Sequence, residues 1–572
     1  MERNGIGWLA LLIGAGLASC QDTQTKQDSP NFARAWCISG GPIYTAVDDT
    51  PRVEAVAIRK GIITYAGEND GSWCEEHAGA NSHRIELNKA AAYPGLTDAH
   101  GHLLGIGLRE MTLNLEGILS ISELQDKLAA VAANTPKGQT IYGRGWIETH
   151  WPDKRFPNRA DLDAVTTDHP VILERADGHA SVVNSAALNQ ANISNETENP
   201  FGGAINRDAK GNATGMLIDN AAGLVQSLMP RLTENRKRDA YIKGAELYAS
   251  RGWTNIHSMS VNPDDIAMLN NLAKDRKLNI RVYNSIDILP NKGSQTMSEM
   301  GNQSSFDNAL ITTRAVKLYA DGALGSRGAA LLAPYSDDEK NSGLMLLKKK
   351  QAESILDAAL RNGTQINTHA IGDKANRLVL NWYEDAFNRV PKGQWEEKNP
   401  RWRIEHSQII EPTDISRFAE LGVIPSMQPS HAIGDLHFAP SRLGKGRLEG
   451  AYAWRALIDS GSIIAGGSDA PVEVGDPRIE FYAATQRKDI KGFSNEDWNL
   501  DQKVTRQEAL KMFTIWPAYA AFQEDITGSI EVGKKADISI FETDLMTAKG
   551  PDILISKPLA TMVDGRLIYD GR

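Results

Sequence analysis

Dense runs of lysine or arginine are missing from this chain, whose formal net charge is −10. That balance argues against nucleic acid or an anionic membrane surface as a partner. A bilayer-spanning stretch is missing too. Residues 6–17 are uncharged and apolar, but in length they match a secretory h-region and not a spanning helix. Cysteine is scarce, at three in 572 residues, so that only Cys37 and Cys74 remain beyond Cys20. What remains is ordinary globular material, 41% hydrophobic and 23% charged, in a chain too long for one core. One large domain with a smaller companion is the expectation.

The amino terminus reads as an export signal. Arg3 precedes the apolar run, which closes on Leu17-Ala18-Ser19-Cys20, a stretch that resembles the lipobox of bacterial lipoproteins. Residues 1–20 would then be a lipoprotein-type signal peptide, with Cys20 lipidated and residues 21–32 a polar tether. The protein is accordingly expected to be exported, periplasmic or in the cell envelope, touching membrane only through that anchor. Cys37 and Cys74 either bridge or stay as buried thiols, and sequence leaves both open.

Both ends of the remaining chain look β-rich. Residues 53–59 run into Lys60-Gly61 and a second apolar run, while Asp564-Gly565 separates two apolar runs near the carboxyl terminus. Each is a hairpin signal. We therefore expect a small β-sandwich built from residues 33–92 and 521–572. Between them, at 93–520, β-type runs alternate with helical patterns. Strands are predicted near residues 95–98, 253–258, 280–285, 315–320, 364–368, 402–405, 423–427 and 462–467. Helices are predicted from Gln351 to Arg361, ended by Gly363, and after Asp373 as N-cap. Eight strands with crossovers make an α/β fold, a (β/α)8 TIM barrel. The first two strands lie far beyond the ~2–6 residues of a usual βα loop apart, so residues 103–250 form an inserted lid subdomain.

Chemistry accumulates where the predicted strands end. The first closes on Tyr93-Pro94-Gly95-Leu96-Thr97-Asp98-Ala99-His100-Gly101-His102. On an extended strand residues i and i+2 share a side, so His100 and His102 can face one point and make half of a metal site. The fifth ends at His369, the sixth at His406 and the eighth at Asp469. Barrel enzymes carry their active sites at these carboxyl-terminal ends. The fourth, Ala315-Val316-Lys317-Leu318-Tyr319-Ala320, places Lys317 in an apolar strand. A buried ammonium tends to lose its proton, and a neutral amine beside metal ions can take up carbon dioxide as a carbamate. The alternatives are a lysine that reaches solvent or pairs with Asp321.

Taken with Val316-Lys317-Leu318-Tyr319-Ala320-Asp321-Gly322, His369-Ala370-Ile371-Gly372-Asp373, Arg403-Ile404-Glu405-His406-Ser407-Gln408, Ser426-Met427-Gln428-Pro429 and Gly467-Ser468-Asp469-Ala470-Pro471, the chain resembles the amidohydrolase superfamily. The resemblance is to its amidohydrolase-3 branch, which includes N-substituted formamide deformylase-like proteins, and it covers everything after residue 35. It implies a metal-bearing barrel with His100, His102 and Asp469 on one ion, His369 and His406 on a second, and Lys317 bridging as carbamate. Val171 to His179 in the insertion is similar to stretches of the same branch. His179 is then a catalytic candidate that orients the substrate carbonyl from the lid, or else caps its turn. Tyr142, Trp146, Trp151, Gln428 and His431 are pocket candidates, whereas His77, His83 and His169 are expected at the surface.

Imidazole and carboxylate ligands suit one or two divalent ions, Zn2+ first, with Mn2+ or Fe2+ as alternatives. Water acidified toward a pKa of about 7 on such an ion supplies hydroxide. Asp469 would serve as general base and then general acid. The expected activity is hydrolysis of a non-peptide amide C–N bond in a small molecule. Alternatives are cyclic-amide ring opening or deamination on the same fold, or a non-catalytic solute-binding lipoprotein. Nothing in the sequence sets the number of copies, so a homo-oligomer stays open.

Overall fold

The computed structural model describes residues 35–148, 151–153, 155–176, 178, 180–200, 203–288, 310–494 and 498–572. Residues 1–34, with the expected signal peptide, Cys20 and the whole of the expected tether, lie outside them, as does His179.

Eight strands make the central sheet: Leu96–Gly101, Trp253–Val261, Arg281–Asp287, Ile311–Tyr319, Gln365–Ala370, Arg403–His406, Ile424–Met427 and Ala465–Gly466. They lie side by side in chain order, and each neighbouring pair is parallel. All eight fall on the stretches predicted from sequence. Val, Ile and Leu positions on these strands pack beneath the surrounding helices in the main core. The Asp469 amide donates to His100 O at 2.6 Å, and the Ser468 amide donates to the Asp98 carboxylate at 2.8 Å. These bonds join the eighth strand to the first and close the barrel. Gly467 permits that approach, because a Cβ there would stand 2.4 Å from the His100 nitrogen.

Helices fill the crossovers. Lys349–Asn362 ends at Gly363, whose φ of 69° is the left-handed cap conformation. The helix at Asp373–Arg389 begins one residue earlier than expected, with Gly372 at the N-cap. Asp373 is the first helical residue, and its carboxylate instead takes the Leu332 amide at 2.8 Å.

Both chain ends build the small domain. Ala91–Pro94 pairs antiparallel with Ile538–Phe541, joining strands at Ala35–Tyr44, Arg52–Arg59, Ile62–Gly67 and His83–Glu86 to Pro558–Val563 and Arg566–Asp570. These strands form one hydrogen-bonded sheet that rolls back on itself. The Ile63 amide donates to Lys534 O and the Gly533 amide to Ile63 O, both at 2.9 Å. Trp36, Ile38, Val56, Ile58, Ile538 and Met562 fill its interior. Both predicted hairpin turns are present, with positive φ at Lys60 and Gly61 and at Asp564 and Gly565. The two turns touch, so a Cβ on Gly565 would lie 2.7 Å from the Gly61 Cα. Cys37 and Cys74 are bridged, tying the short helix Trp73–His77 to the sheet.

Between the first and second barrel strands, six strands make a separate sheet. Its order is Gly203–Arg207, Ala213–Asp219, Ala180–Val183, Val171–Arg175, Ile141–Trp146 and Leu113–Asn114. Separate apolar clusters line its two faces, one with Leu113, Leu124 and Trp146 and the other with Ile172, Leu188 and Leu217. The chain leaves the barrel through helix Leu103–Glu110, directly after His102, and returns through helix Glu234–Arg251.

Candidate metal centre

The side chains that end strands one, four, five, six and eight converge at one mouth of the barrel. His100, His406 and Asp469 bring one potential ligand atom each to within 4.8 Å of one another. Lys317 Nζ lies 3.3 Å from His100 Nε2. His102 Nε2 lies 3.0 Å from Asp469 Oδ1, and His100 Nε2 lies 3.5 Å from the same oxygen. The His369 and His406 rings are 4.6 Å apart. Ligand atoms on a tetrahedral ion with bonds of about 2.0–2.1 Å stand about 3.3 Å from one another, and the two distances from Asp469 Oδ1 to the histidine nitrogens, 3.0 and 3.5 Å, bracket that value.

Hydrogen bonds on the far side of each ring set which nitrogen faces inward. His100 Nδ1 donates to Glu405 Oε2 at 2.5 Å. His102 Nδ1 donates to Met259 O at 3.2 Å, and His406 Nδ1 donates to Gln428 Oε1 at 2.9 Å. In each case Nε2 keeps its lone pair and turns it to the centre. His102 Nε2 lies 3.0 Å from Asp469 Oδ1, a contact that a cation between the two atoms, or a second proton on the ring, completes. His369 Nε2 is buried without a hydrogen-bond partner. The residues present thus fit a divalent ion.

Electrostatics keep three of the imidazoles neutral. Burial, reinforced by Lys317, lowers His100 to about 4 and His369 to about 3, and burial holds His406 well below the ordinary value. Burial also lowers Lys317 to about 8. For Asp469 burial acts upward, but His100 and His102 outweigh it and hold the carboxyl well below the usual range. The backbone is strained at two of these residues, with φ of 74° at His406 and 60° at Asp469.

Lys317 neither reaches solvent nor pairs with Asp321. It is buried, and the Asp321 carboxylate is taken by the Ile371, Gly372 and Ala330 amides at 2.8–2.9 Å. Those bonds clamp the loop after strand five onto the loop after strand four. Gln428 and His431 join the site. Trp146 and Trp151 do not: each is buried in the inserted sheet's core, its indole N–H donating to Leu173 O or Ile118 O. Tyr142 is likewise in the insertion, with its hydroxyl on Glu174. His77 and His83 are half-buried and His169 is buried, against the surface positions expected of them. The Asn184 amide holds the His169 carbonyl and draws that residue under the inserted sheet.

Residues not singled out from sequence complete the setting. Arg403 and Glu405 alternate on the sixth strand, pair at 2.8 Å with no exposure, and carry His100 between them and the centre. Burial acts upward on Glu405, but Arg403 and His100 outweigh it and hold it well below the carboxylate range. Arg403 Nη1 also donates to His257 Nδ1 at 2.9 Å. An Arg-x-Glu pair inside a short apolar strand was the available signal, of the same kind as Lys317.

The amidohydrolase family model matches residues 85–569. YtcJ of Bacillus subtilis is 29% identical over 537 residues, covering 93% of this chain and 98% of that protein. N-substituted formamide deformylase of Arthrobacter pascens is 26% identical over 502 residues, covering 85% of this chain and 90% of the relative. Among solved structures, a metal-dependent hydrolase of uncharacterized role from Pyrococcus furiosus superposes with a TM-score of 0.70 at 26% identity, covering 90% of this chain and all of that one. The chain belongs to the amidohydrolase family and is a metal-dependent hydrolase acting on carbon–nitrogen bonds.

Proposed function

We propose that this protein hydrolyses a non-peptide amide bond of a small molecule outside the cytoplasm, using Zn2+ held by His100, His102, His369, His406 and Asp469 with a carbamate on Lys317. The observation that carries the reading is the convergence of His100, His406 and Asp469, whose potential ligand atoms lie within 4.8 Å of one another at the mouth of the barrel. When bound, the ion supplies Lewis-acid polarisation of the amide carbonyl and acidifies water.

The chain's own groups do the rest. Asp469 turns Oδ1 to His100 and His102, while its Oδ2 lies 3.6 Å from His431 Nε2. That oxygen takes a proton from the attacking water and returns it to the leaving nitrogen. The water oxygen bonds to the carbonyl carbon, the C–N bond breaks, and a carboxylic acid and an amine depart. Lys317, with its pKa lowered to about 8, has an amine fraction at neutral pH able to take up carbon dioxide. The activity of the Arthrobacter relative, as its name gives it, makes N-substituted formamides the first substrates to try. The bridge between Cys37 and Cys74 supports an oxidising compartment, and the lipobox-like Cys20 supports an envelope anchor.

One preparation tests the reading. Cell fractionation is expected to place the protein with the envelope. Elemental analysis is expected to find one or two divalent ions per chain, and a screen of N-formyl amines, N-acyl amino acids and cyclic amides is expected to find turnover that a chelator abolishes. A metal-free active protein, or a metal-loaded protein inert on the whole screen, would overturn it.

A further inference from the structure

Two histidines at this mouth are each held by a glutamine, with opposite polarity. His406 gives its Nδ1 proton to Gln428 Oε1, and the orientation of that amide is set by its own Nε2, which donates to Ser426 O at 3.3 Å. His406 Nε2 is therefore a lone pair. At His431, on the helix Pro429–Asp435 that follows strand seven, Gln408 Nε2 is the donor and His431 Nδ1 the acceptor, at 2.9 Å. The proton of His431 must then sit on Nε2, so that this ring turns a donor to the centre where the others turn acceptors.

That N–H has nowhere to go within the protein. His431 Nε2 is buried without a hydrogen-bond partner. Its nearest acceptors are Asp469 Oδ2 at 3.6 Å and Glu473 Oε1 at 3.9 Å, both beyond hydrogen-bond range. The ring lies over His406 with centres 5.9 Å apart and planes 20° from parallel. A buried donor fixed in this way, beside the oxygen assigned to proton transfer, is completed by an acceptor that arrives from outside.

We propose that His431 is the substrate-facing hydrogen-bond donor of the site, its Nε2–H holding the carbonyl oxygen of the scissile bond and the negative charge that gathers there. No proton changes hands in this step, and His431 is not a metal ligand. The proposal rests on the amide-hydrolase reading for the identity of the acceptor, while the donor itself rests on the Gln408 contact.

The test compares metal-loaded wild type with His431→Phe, which keeps the ring but removes the donor, and His431→Gln, which restores an N–H near the Nε2 position. Inorganic phosphate, a tetrahedral anion rich in acceptors, is the binding probe. His431→Phe is expected to weaken phosphate about tenfold or more, as loss of a hydrogen bond to a charged group does, and His431→Gln to stay within about threefold of wild type on that same scale. Metal content per chain is expected to be equal in all three. On any amide the screen finds, His431→Phe is expected to lower kcat by about 10²–10³-fold with little change in KM. In 15N-histidine spectra of the wild type, Nε2 of His431 should carry the proton.

Unchanged phosphate binding in His431→Phe, metal loss from that variant, or a folded His431→Gln as impaired as His431→Phe would each overturn the donor role. If wild type cleaves the screened amides and His431→Phe cleaves them equally well, the donor fails and the hydrolase reading stands. If no amide is cleaved but the phosphate, metal and spectral results hold, the hydrolase reading fails and the donor stands.

Discussion

At the amino-terminal end of the barrel strands, charged side chains are matched pairwise. Arg281, at the start of strand three, grips Asp537 of the small domain with two bonds of 2.5 and 3.0 Å. Arg401 pairs with Glu524 and lies over the Tyr519 ring, and Arg314 pairs with Glu397 and lies over Phe522. At the carboxyl-terminal end the matching stops. His100, His406 and Asp469 crowd their potential ligand atoms within 4.8 Å of one another, and among the described residues the buried Nε2 atoms of His369 and His431 have no hydrogen-bond partner. Both ends hold charged and polar groups in burial. One end pairs its charges within the chain, and the other leaves buried ring nitrogens to be satisfied by what binds. That is the physical content of the general rule that barrel enzymes are built for stability at one face and for chemistry at the other.

The contrast can be broken from either side. Removing the proton carrier at the open end, by Asp469→Asn, is expected to lower kcat by about 10³-fold or more, measured on whichever amide the wild type turns over, while the urea midpoint stays near that of wild type. A large loss of stability instead would mean that the open end is structural. Arg281→Leu should do the reverse. Leaving Asp537 as an unpaired buried carboxylate is expected to destabilise the fold by about 3–5 kcal/mol, read from denaturant unfolding, without changing metal affinity in chelator competition. Equal loss of metal would erase the distinction between the two ends. The smallest effect belongs to a residue that links them. Glu405→Gln weakens the acceptor that orients His100 and is expected to reduce metal affinity by about 10–100-fold; unaltered affinity would show that burial alone orients the ring.

Much of this was legible in the sequence because barrel chemistry is punctuated. A ligand type at the end of an apolar run marks both the strand and its function, so His100, His102, His369, His406 and Asp469 stood out together with their strands. Lys317 stood out because an ammonium in an apolar strand needs a reason. The same logic applied to Arg403 and Glu405, but their adjacency to His406 drew attention to the strand's last residue and away from the pair behind it. His431 was picked out as a pocket residue, but nothing in the sequence marked its role. It lies on a helix, beyond the end of its strand, and its role depends on a glutamine 23 residues away whose polarity only coordinates reveal. Aromatic residues were read least well. Trp146 and Trp151 have the size and polar tip of pocket residues, yet their indoles are consumed by carbonyls within the inserted sheet. Sequence does not distinguish those two fates, because both place a ring in burial and an N–H on an oxygen.

The rolled sheet of the small domain sets an order of events during synthesis. Trp36 donates to Gly565 O across 529 residues of chain, and Ala91–Pro94 waits for Ile538–Phe541 as its partner. At ribosomal speeds of roughly 5–20 residues per second, the first strands emerge tens of seconds before their partners exist. For that interval the amino-terminal strands present a bare edge of unpaired backbone, the kind of surface on which chains adhere to one another. A protein assembled this way gains from keeping its first strands apart from other chains until the last hairpin has arrived.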